Sequence, residues 1–251
     1  MPETTSHRLI DAAQDLIREL KPLCFKDPVS HVYLPTEYAW DRHREYLERF
    51  GGAGGVPSGK KRVLMLGMNP GPWGMAQTGV PFGEVPAVRD WMGISGPVNK
   101  PENEHPKRPV DGFDCTRSEV SGRRLWGLFA GKYPNPEDFF EEHFVANYCP
   151  LVWMGETGKN ITPDKLPQSE MVPVEKSCRK HLAAVITALD PEWLVGVGAY
   201  AEKKLIETVR EYFPGREFRT GKILHPSPAS PAANRGWEPQ AERQLVEMGV
   251  W

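Results

Sequence analysis

Asn69 stands in the segment MLGMNPGPWGMAQTGVPFGE, residues 65–84, where five glycines and three prolines crowd into twenty residues directly after an apolar run, KRVLML. Backbone shapes such a loop: glycine lets a ligand or another chain segment approach closely, and proline stiffens the approach. Asn69 cannot act as a general base at neutral pH, but its amide oxygen can hold a water in place. A second segment, HPSP, begins at His225, and imidazole is the side chain whose ordinary titration lies nearest neutrality. Between the two comes Asn147, in HFVANYCPLVW, an amide that can both donate and accept. These residue types supply water placement, hydrogen-bond donation to a developing charge, and recognition of a polar edge.

Other constellations carry less. The four cysteines, Cys24, Cys115, Cys149 and Cys178, show no C-x2-4-C spacing, so neither a zinc nor an iron–sulfur site has sequence support, and no metal is expected. Ser227 lies between two prolines and outside any G-x-S-x-G elbow, which argues against a serine nucleophile. Residues Gly196-Val197-Gly198-Ala199-Tyr200-Ala201 fit G-x-G-x-x-A, as a dinucleotide site would. The turn comes late in the chain, however, and no acid ends a strand about 20 residues on, so a tight strand–helix turn is the better reading. Its N–H groups could still face a phosphate. Asn160-Ile161-Thr162 matches a glycosylation sequon, taken as coincidence because the N-terminus reads as an amphipathic helix with acids and not as a signal peptide.

The elements that would position these residues follow from hydrophobic pattern. Leu9, Ile10, Ala13, Leu16, Ile17 and Leu20 share one helical face within an N-terminal helical region of about 1–50, which continues in YAWDRHREYLERF. GGAGGVPSGKK reads as a loop, RVLMLG as a buried strand, SGRRLWGLFAGKY and PEDFFEEHF as helices, and HFVANYCPLVW as a second strand. GETGKNITPDKLP reads as loop and EKSCRKHLAAVITALD as a helix. WLVGVG is a third strand, AYAEKKLIETVREYF a helix, GKILHPSP a fourth strand ending in a turn, and PQAERQLVEMG a closing helix. Buried strands alternating with helices predict a three-layer α/β/α fold around a mostly parallel four-stranded sheet, as one domain over 1–251. Side chains that act on such sheets lie beyond the carboxyl ends of strands. If the strands are parallel, Asn69, Asn147 and His225 converge on one rim.

Charge narrows the partners. The chain of 251 residues has a formal net charge of −2, so no global field announces nucleic acid. Two local groups could meet phosphate. One is Arg216, Arg219, Lys222 and Arg235 against Glu217, and the other is Lys60, Lys61 and Arg62. No apolar run approaches the roughly 18 residues of a membrane span. The expected location is the cytoplasm of a bacterium or the nucleus of a eukaryote.

Gly67-Met68-Asn69-Pro70-Gly71, extended through Phe82, together with His225-Pro226-Ser227-Pro228, continued through Asn234-Arg235-Gly236-Trp237, resembles the uracil-DNA glycosylase superfamily, and within it the single-strand-selective monofunctional branch. EVPAVRDWMGISGPV, HPKRPV, SEVSGRRLWG, NYCPL and LVGVG agree, so the resemblance covers roughly residues 25–249. GMNPG with HPSP separates this branch from one that carries an acid in the first motif, from a mismatch-type branch without the histidine, and from an iron–sulfur branch.

The resemblance implies hydrolysis of the bond between deoxyribose C1′ and N1 of uracil, and tolerance of oxidised uracils such as 5-hydroxymethyluracil, in single- and double-stranded DNA. The product is an abasic site, and a monomer without metal or organic cofactor suffices. His225 takes the role of stabilising the leaving base and Asn69 of orienting water. Asn147 reads the base edge, Phe82 stacks on the flipped ring, and Met68, Gly71 and Met75 line the pocket, the latter two near the 5-position. Pro226, Ser227, Pro228, Ala229, Ser230, Asn234 and Arg235 belong to the segment that enters the helix. Ala229 departs from the pattern, since animal members carry arginine there, so a weaker hold on duplex product is expected. A mismatch-type glycosylase, a non-catalytic DNA or abasic-site binding module, and a nucleotide-binding enzyme using the 196–201 turn are the alternatives.

Overall fold

The computed structural model describes residues 4–52 and 59–251, so the loop expected over 51–61 falls largely on residues outside that description. In chain order the elements are α1 (Thr5–Leu20), β1 (His31–Tyr33), α2 (Pro35–Tyr38), α3 (Trp40–Phe50), β2 (Val63–Gly67), α4 (Met75–Thr78), α5 (Val120–Lys132), α6 (Pro136–Glu142), β3 (His143–Asn147), β4 (Val152–Met154), β5 (Asn160–Ile161), α7 (Gln168–Leu189), β6 (Trp193–Val197), α8 (Ala199–Tyr212), β7 (Arg219–Ile223), α9 (Pro231–Asn234) and α10 (Trp237–Met248). Short irregular turns of helix occur at Ala87–Trp91, Gly112–Asp114 and Pro163–Lys165.

The central sheet has the order β3-β2-β6-β7, and every pair in it is parallel. β2, β3 and β6 are buried along their whole length, which is why they read as continuous apolar runs. β7 is the edge strand and mostly exposed; it starts at Arg219, earlier than GKILHPSP suggests. Helices flank this sheet. α1 packs along α7, α7 meets α8, and α8 lies on β6 and β7, while α10 bridges β7 and α5. α1 is capped by the Thr4 side chain, and its buried stripe of Leu9, Ala13, Leu16 and Leu20 matches the sequence periodicity.

Four expectations about elements need correction. HFVANYCPLVW is two strands, not one. Tyr148 and Cys149 still donate to Gly67 O and Met68 O beside β2, but Pro150 has no N–H to continue the ladder, and the chain turns into β4. β4 then joins β1 and β5 in a separate antiparallel sheet of order β1-β4-β5. GETGKNITPDKLP therefore contains a strand, β5, too short to leave a periodic signal. The helix expected to start at Glu175 starts at Gln168. Pro173 lies near its amino end, where one missing N–H forfeits a single bond, and Met171 and Val174 are buried there. The helix expected over 38–50 is interrupted at Ala39.

Candidate active site

Because the central strands are parallel, their carboxyl ends share one rim. Asn147 is the last residue of β3 and pairs in register with Gly67, the last of β2; Asn69 and His225 lie two residues beyond β2 and β7. A cleft of about 240 Å³ opens on this rim, lined by Met68, Asn69, Gly71, Met75, Phe82, Asn147, His225, Ser227 and Pro228 among others. That is on the order of eight water molecules' worth of space, at about 30 Å³ each.

Two glycines make the rim possible. A Cβ on Gly67 would sit 2.5 Å from Asn147 Oδ1 and 2.5 Å from the Phe82 ring, so only glycine lets the amide and the aromatic wall close over the end of β2. Gly198, at φ +94°, donates its N–H to Ile223 O at 2.9 Å, and a Cβ there would lie 3.0 Å from His225 Cβ and 3.2 Å from its Cδ2. The second glycine of G-x-G-x-x-A thus makes room for the histidine, and the first, Gly196, packs against the backbone of Glu202. The turn is accounted for as tight strand–helix packing.

The polar groups are held in defined orientations. Asn69 Nδ2 donates to Leu151 O at 3.2 Å and to Pro70 O at 3.3 Å, which fixes the amide and leaves Oδ1 buried with no partner among the described residues. A buried acceptor left this way costs on the order of 1–3 kcal/mol, so it calls for a ligand or water. Ser227 donates its backbone N–H to His225 Nδ1 at 3.1 Å. Nδ1 must therefore carry the lone pair, and the neutral ring keeps its proton on Nε2. Burial lowers the His225 pKa from its ordinary value, which favours that neutral form. Among the described residues Asn147 Nδ2 donates to the Met75 Sδ, a weak acceptor, at 3.3 Å. Phe82 takes φ +53°, a left-handed conformation rare for a bulky residue, and Trp126 Nε1 donates to the carbonyl just before it, Pro81 O, at 3.1 Å. Gly71 has nothing within 4 Å of its missing Cβ, so the cleft is open at that point.

Pro226, Ala229, Ser230, Asn234 and Arg235 do not line the cleft but build the turn beside it. Ala229 is exposed at the turn's tip, its N–H bonded to Ser227 Oγ at 3.1 Å, and Ser230 caps α9. Asn234 Nδ2 donates to Pro228 O at 2.8 Å. Arg124, which sequence reasoning passed over, ties this turn down: Nη1 donates to Pro226 O at 2.9 Å and Ser227 O at 3.3 Å, and Nη2 to Asn234 Oδ1 at 2.9 Å. Glu119, Asn160 and Thr162 also line the cleft unanticipated. Glu119 caps α5 by accepting from the Ser121 and Gly122 N–H groups, and burial pushes its carboxyl pKa up. For Arg124 the only sequence signal was its place in SEVSGRRLWG; Asn160 and Thr162 belong to the overlooked strand β5 and its exit.

The family model described as the uracil DNA glycosylase superfamily matches residues 54–246. The chain belongs to the uracil-DNA glycosylase superfamily. It is similar to the single-strand selective monofunctional uracil DNA glycosylase of Bos taurus, 45% identical over 249 residues, which cover 99% of this chain and 89% of the relative. It is also similar to the protein of that name from Mus musculus, 46% identical over 232 residues, covering 92% and 80%. A solved structure, wild-type SMUG2 of Pedobacter heparinus, matches the fold with a TM-score of 0.65 at 16% identity, covering 95% of this chain and 97% of that one.

In this uracil-DNA glycosylase family member, the basic groups singled out in the sequence are largely neutralised. Lys60 and Arg216 both pair with Asp190, Arg62 with Glu142 at 3.0 Å, Arg219 with Glu192 at 2.9 Å and Lys222 with Glu202 at 2.8 Å. Lys61 is buried, its ammonium donating to Phe140 O. Lys60 and Arg62 precede β2, Arg216 and Arg219 flank the start of β7, and so these charges lie at the amino ends of the strands, away from the cleft. Among the described residues no group of three or more His, Cys, Asp or Glu side chains could hold a metal ion.

Proposed function

We propose that the chain hydrolyses the N-glycosidic bond of uracil in DNA, leaving an abasic site. The observation that carries this reading is the His225 tautomer: with Nδ1 occupied by the Ser227 N–H, the ring offers an Nε2–H in the same cleft as Asn69. As the C1′–N1 bond lengthens, negative charge spreads into the departing base. A neutral donor placed at O2 stabilises that charge in a site shielded from water. The sugar becomes oxocarbenium-like, and such an electrophile needs a placed water more than a strong base. Asn69, with its amide anchored on Leu151 O and Oδ1 unpartnered, supports water placement. The water's oxygen bonds to C1′, its proton is lost to solvent, and N1 leaves with the bonding pair.

Asn147 reads the base. Its amide accepts from uracil N3–H and donates to O4, whereas cytosine presents the reverse pair and would leave both groups unsatisfied. Phe82 stacks on the ring. The target atom is hidden in a stacked duplex, so the nucleotide is flipped out, and the turn at Pro228 and Ala229 enters the gap; single strands avoid the unpairing cost. The open space at Gly71 accommodates a 5-substituent such as hydroxymethyl.

An oligonucleotide carrying one uracil, single- or double-stranded, is incubated with the protein and treated with alkali. Strand cleavage by the wild-type chain, lost in Asn69→Ala and His225→Ala, is the expected result. No uracil release by the wild type would overturn the activity.

A further inference from the structure

We propose that Trp73 aligns Arg108 and Arg117 as a phosphate clamp for the strand that carries the flipped nucleotide; this rests on DNA being the substrate, as argued above. The two guanidinium carbons lie 5.2 Å and 5.5 Å from the Trp73 ring centroid, so one indole holds both like charges. Among the described residues neither arginine has a carboxylate within 4.0 Å, in contrast to Lys60, Arg62, Arg216 and Arg219 at the amino ends of the strands and to Lys222 near the end of β7, each paired with an acid. Of the acids around them, Glu104 pairs with Lys100 at 2.9 Å and accepts from the Val110 N–H, Glu119 caps α5, and Glu84 accepts from Ser118 Oγ at 2.9 Å, while Asp111 and Asp114 form no ion pair among the described residues.

The clamp sits on the cleft's margin. Trp73 is followed by Gly74, and Arg117 is two residues before Glu119; Gly74 and Glu119 both line the cleft, and a Cβ on Gly74 would lie 2.8 Å from Glu119 Cγ. The segments that carry the indole and one guanidinium therefore pack directly against each other at the pocket wall. Arg108 is fixed from behind, its Nη1 donating to Lys107 O at 2.8 Å, and its Nε is buried with no partner among the described residues. Two cations that share one indole and have no acid paired to them leave positive charge that favours an anion at this margin. Stacking on an aromatic face also keeps guanidinium donors in a fixed plane, which suits phosphate oxygens. A nucleotide drawn into the cleft carries its flanking phosphates to the cleft's edge, and we place one of them at these two arginines.

The test compares Arg108→Gln, Arg117→Gln and Trp73→Ala with Arg216→Gln, a change at the paired, distant end. Two readouts are used: anisotropy of a uracil-free single strand across a salt series, and kcat and KM on a uracil-containing single strand. Each clamp arginine that contacts one phosphate should lower the slope of log affinity against log salt by about 0.7, the value for single strands. KM should rise several-fold with kcat held within about twofold, as for an interaction made equally in ground and transition states. Trp73→Ala should weaken binding while keeping most of the slope, since both charges remain. Wild-type slopes in both arginine variants, or an equal loss in Arg216→Gln, would overturn the clamp. Because anisotropy needs no catalysis, absence of uracil release by the wild type would count against the activity while the slopes still judge the clamp.

Discussion

Removing the Arg124 guanidinium should damage the chemical step more than the fold. The side chain makes three hydrogen bonds to the turn that carries His225 and the tip at Ala229, two at 2.9 Å and one at 3.3 Å. Hydrogen bonds to a charged donor contribute about 1.5–3 kcal/mol when shielded. Arg124 is half-buried, so about 1 kcal/mol for each of the two short bonds, and little for the long one, is the appropriate scale. The total of ~2 kcal/mol corresponds to roughly 30-fold in rate if the bonds are needed to hold the turn in its reactive position. Arg124→Ala is thus expected to lower the single-turnover rate on a uracil-containing single strand by about 10- to 50-fold, with a larger loss on duplex, where the turn must also push into the stack. Arg124→Lys keeps the charge but offers one point donor in place of a fork, and should recover only part of the rate. The assay is alkali cleavage under excess enzyme, with melting temperature measured alongside. A rate within twofold of wild type for Arg124→Ala, whatever happens to the melting temperature, would refute the idea that these bonds position His225.

Three further outcomes are expected. Asn147→Leu keeps the volume and removes both amide groups, so kcat/KM on uracil should fall by on the order of 100-fold, for two lost hydrogen bonds at about 1–1.5 kcal/mol each; a loss below threefold would remove Asn147 as the base reader. His43 and His143 are buried and their pKa values are pushed down from the ordinary 6.5 to about 4. In each case the unfolded chain takes up the proton first, so the stability is complete above pH 6.5 and is lost as pH falls from 6.5 toward 4, by ~3 kcal/mol per residue. Urea unfolding at pH 7, 5.5 and 4.5 should show this decline, and His43→Gln, which retains a donor for Gly79 O, should flatten it by about one proton; an unchanged slope would contradict the assignment. Ala229→Arg places a long side chain at the exposed tip of the turn, and should slow release from duplex abasic DNA in a product-trap assay, whereas unchanged release would remove the tip from the gap-filling role.

What could be read in the sequence was whatever depends on local pattern. β2, β3 and β6 are buried on both faces, so each appears as an unbroken apolar run, and a parallel sheet then places Asn69, Asn147 and His225 beyond strand ends without further information. β7 was different: RTGKI is an exposed edge, and only the apolar Ile223-Leu224 before HPSP betrayed it. The strands β1, β4 and β5 are two or three residues long, too short for a period of two to show, and with them went Asn160 and Thr162 on the cleft wall. Arg124 was illegible for another reason, since its partners lie 102 to 110 residues away. Charge was the most misleading signal. Counting along the chain selects Arg216, Arg219 and Lys222, yet folding sets each beside an acid at the amino ends of the strands or on α8. A cation paired in this way projects little field, whereas Arg108 and Arg117, unremarkable in the sequence, keep theirs at the cleft margin. A net charge of −2 is therefore compatible with binding a polyanion, because the field that a strand meets is set by which charges are left unpaired at the rim it touches.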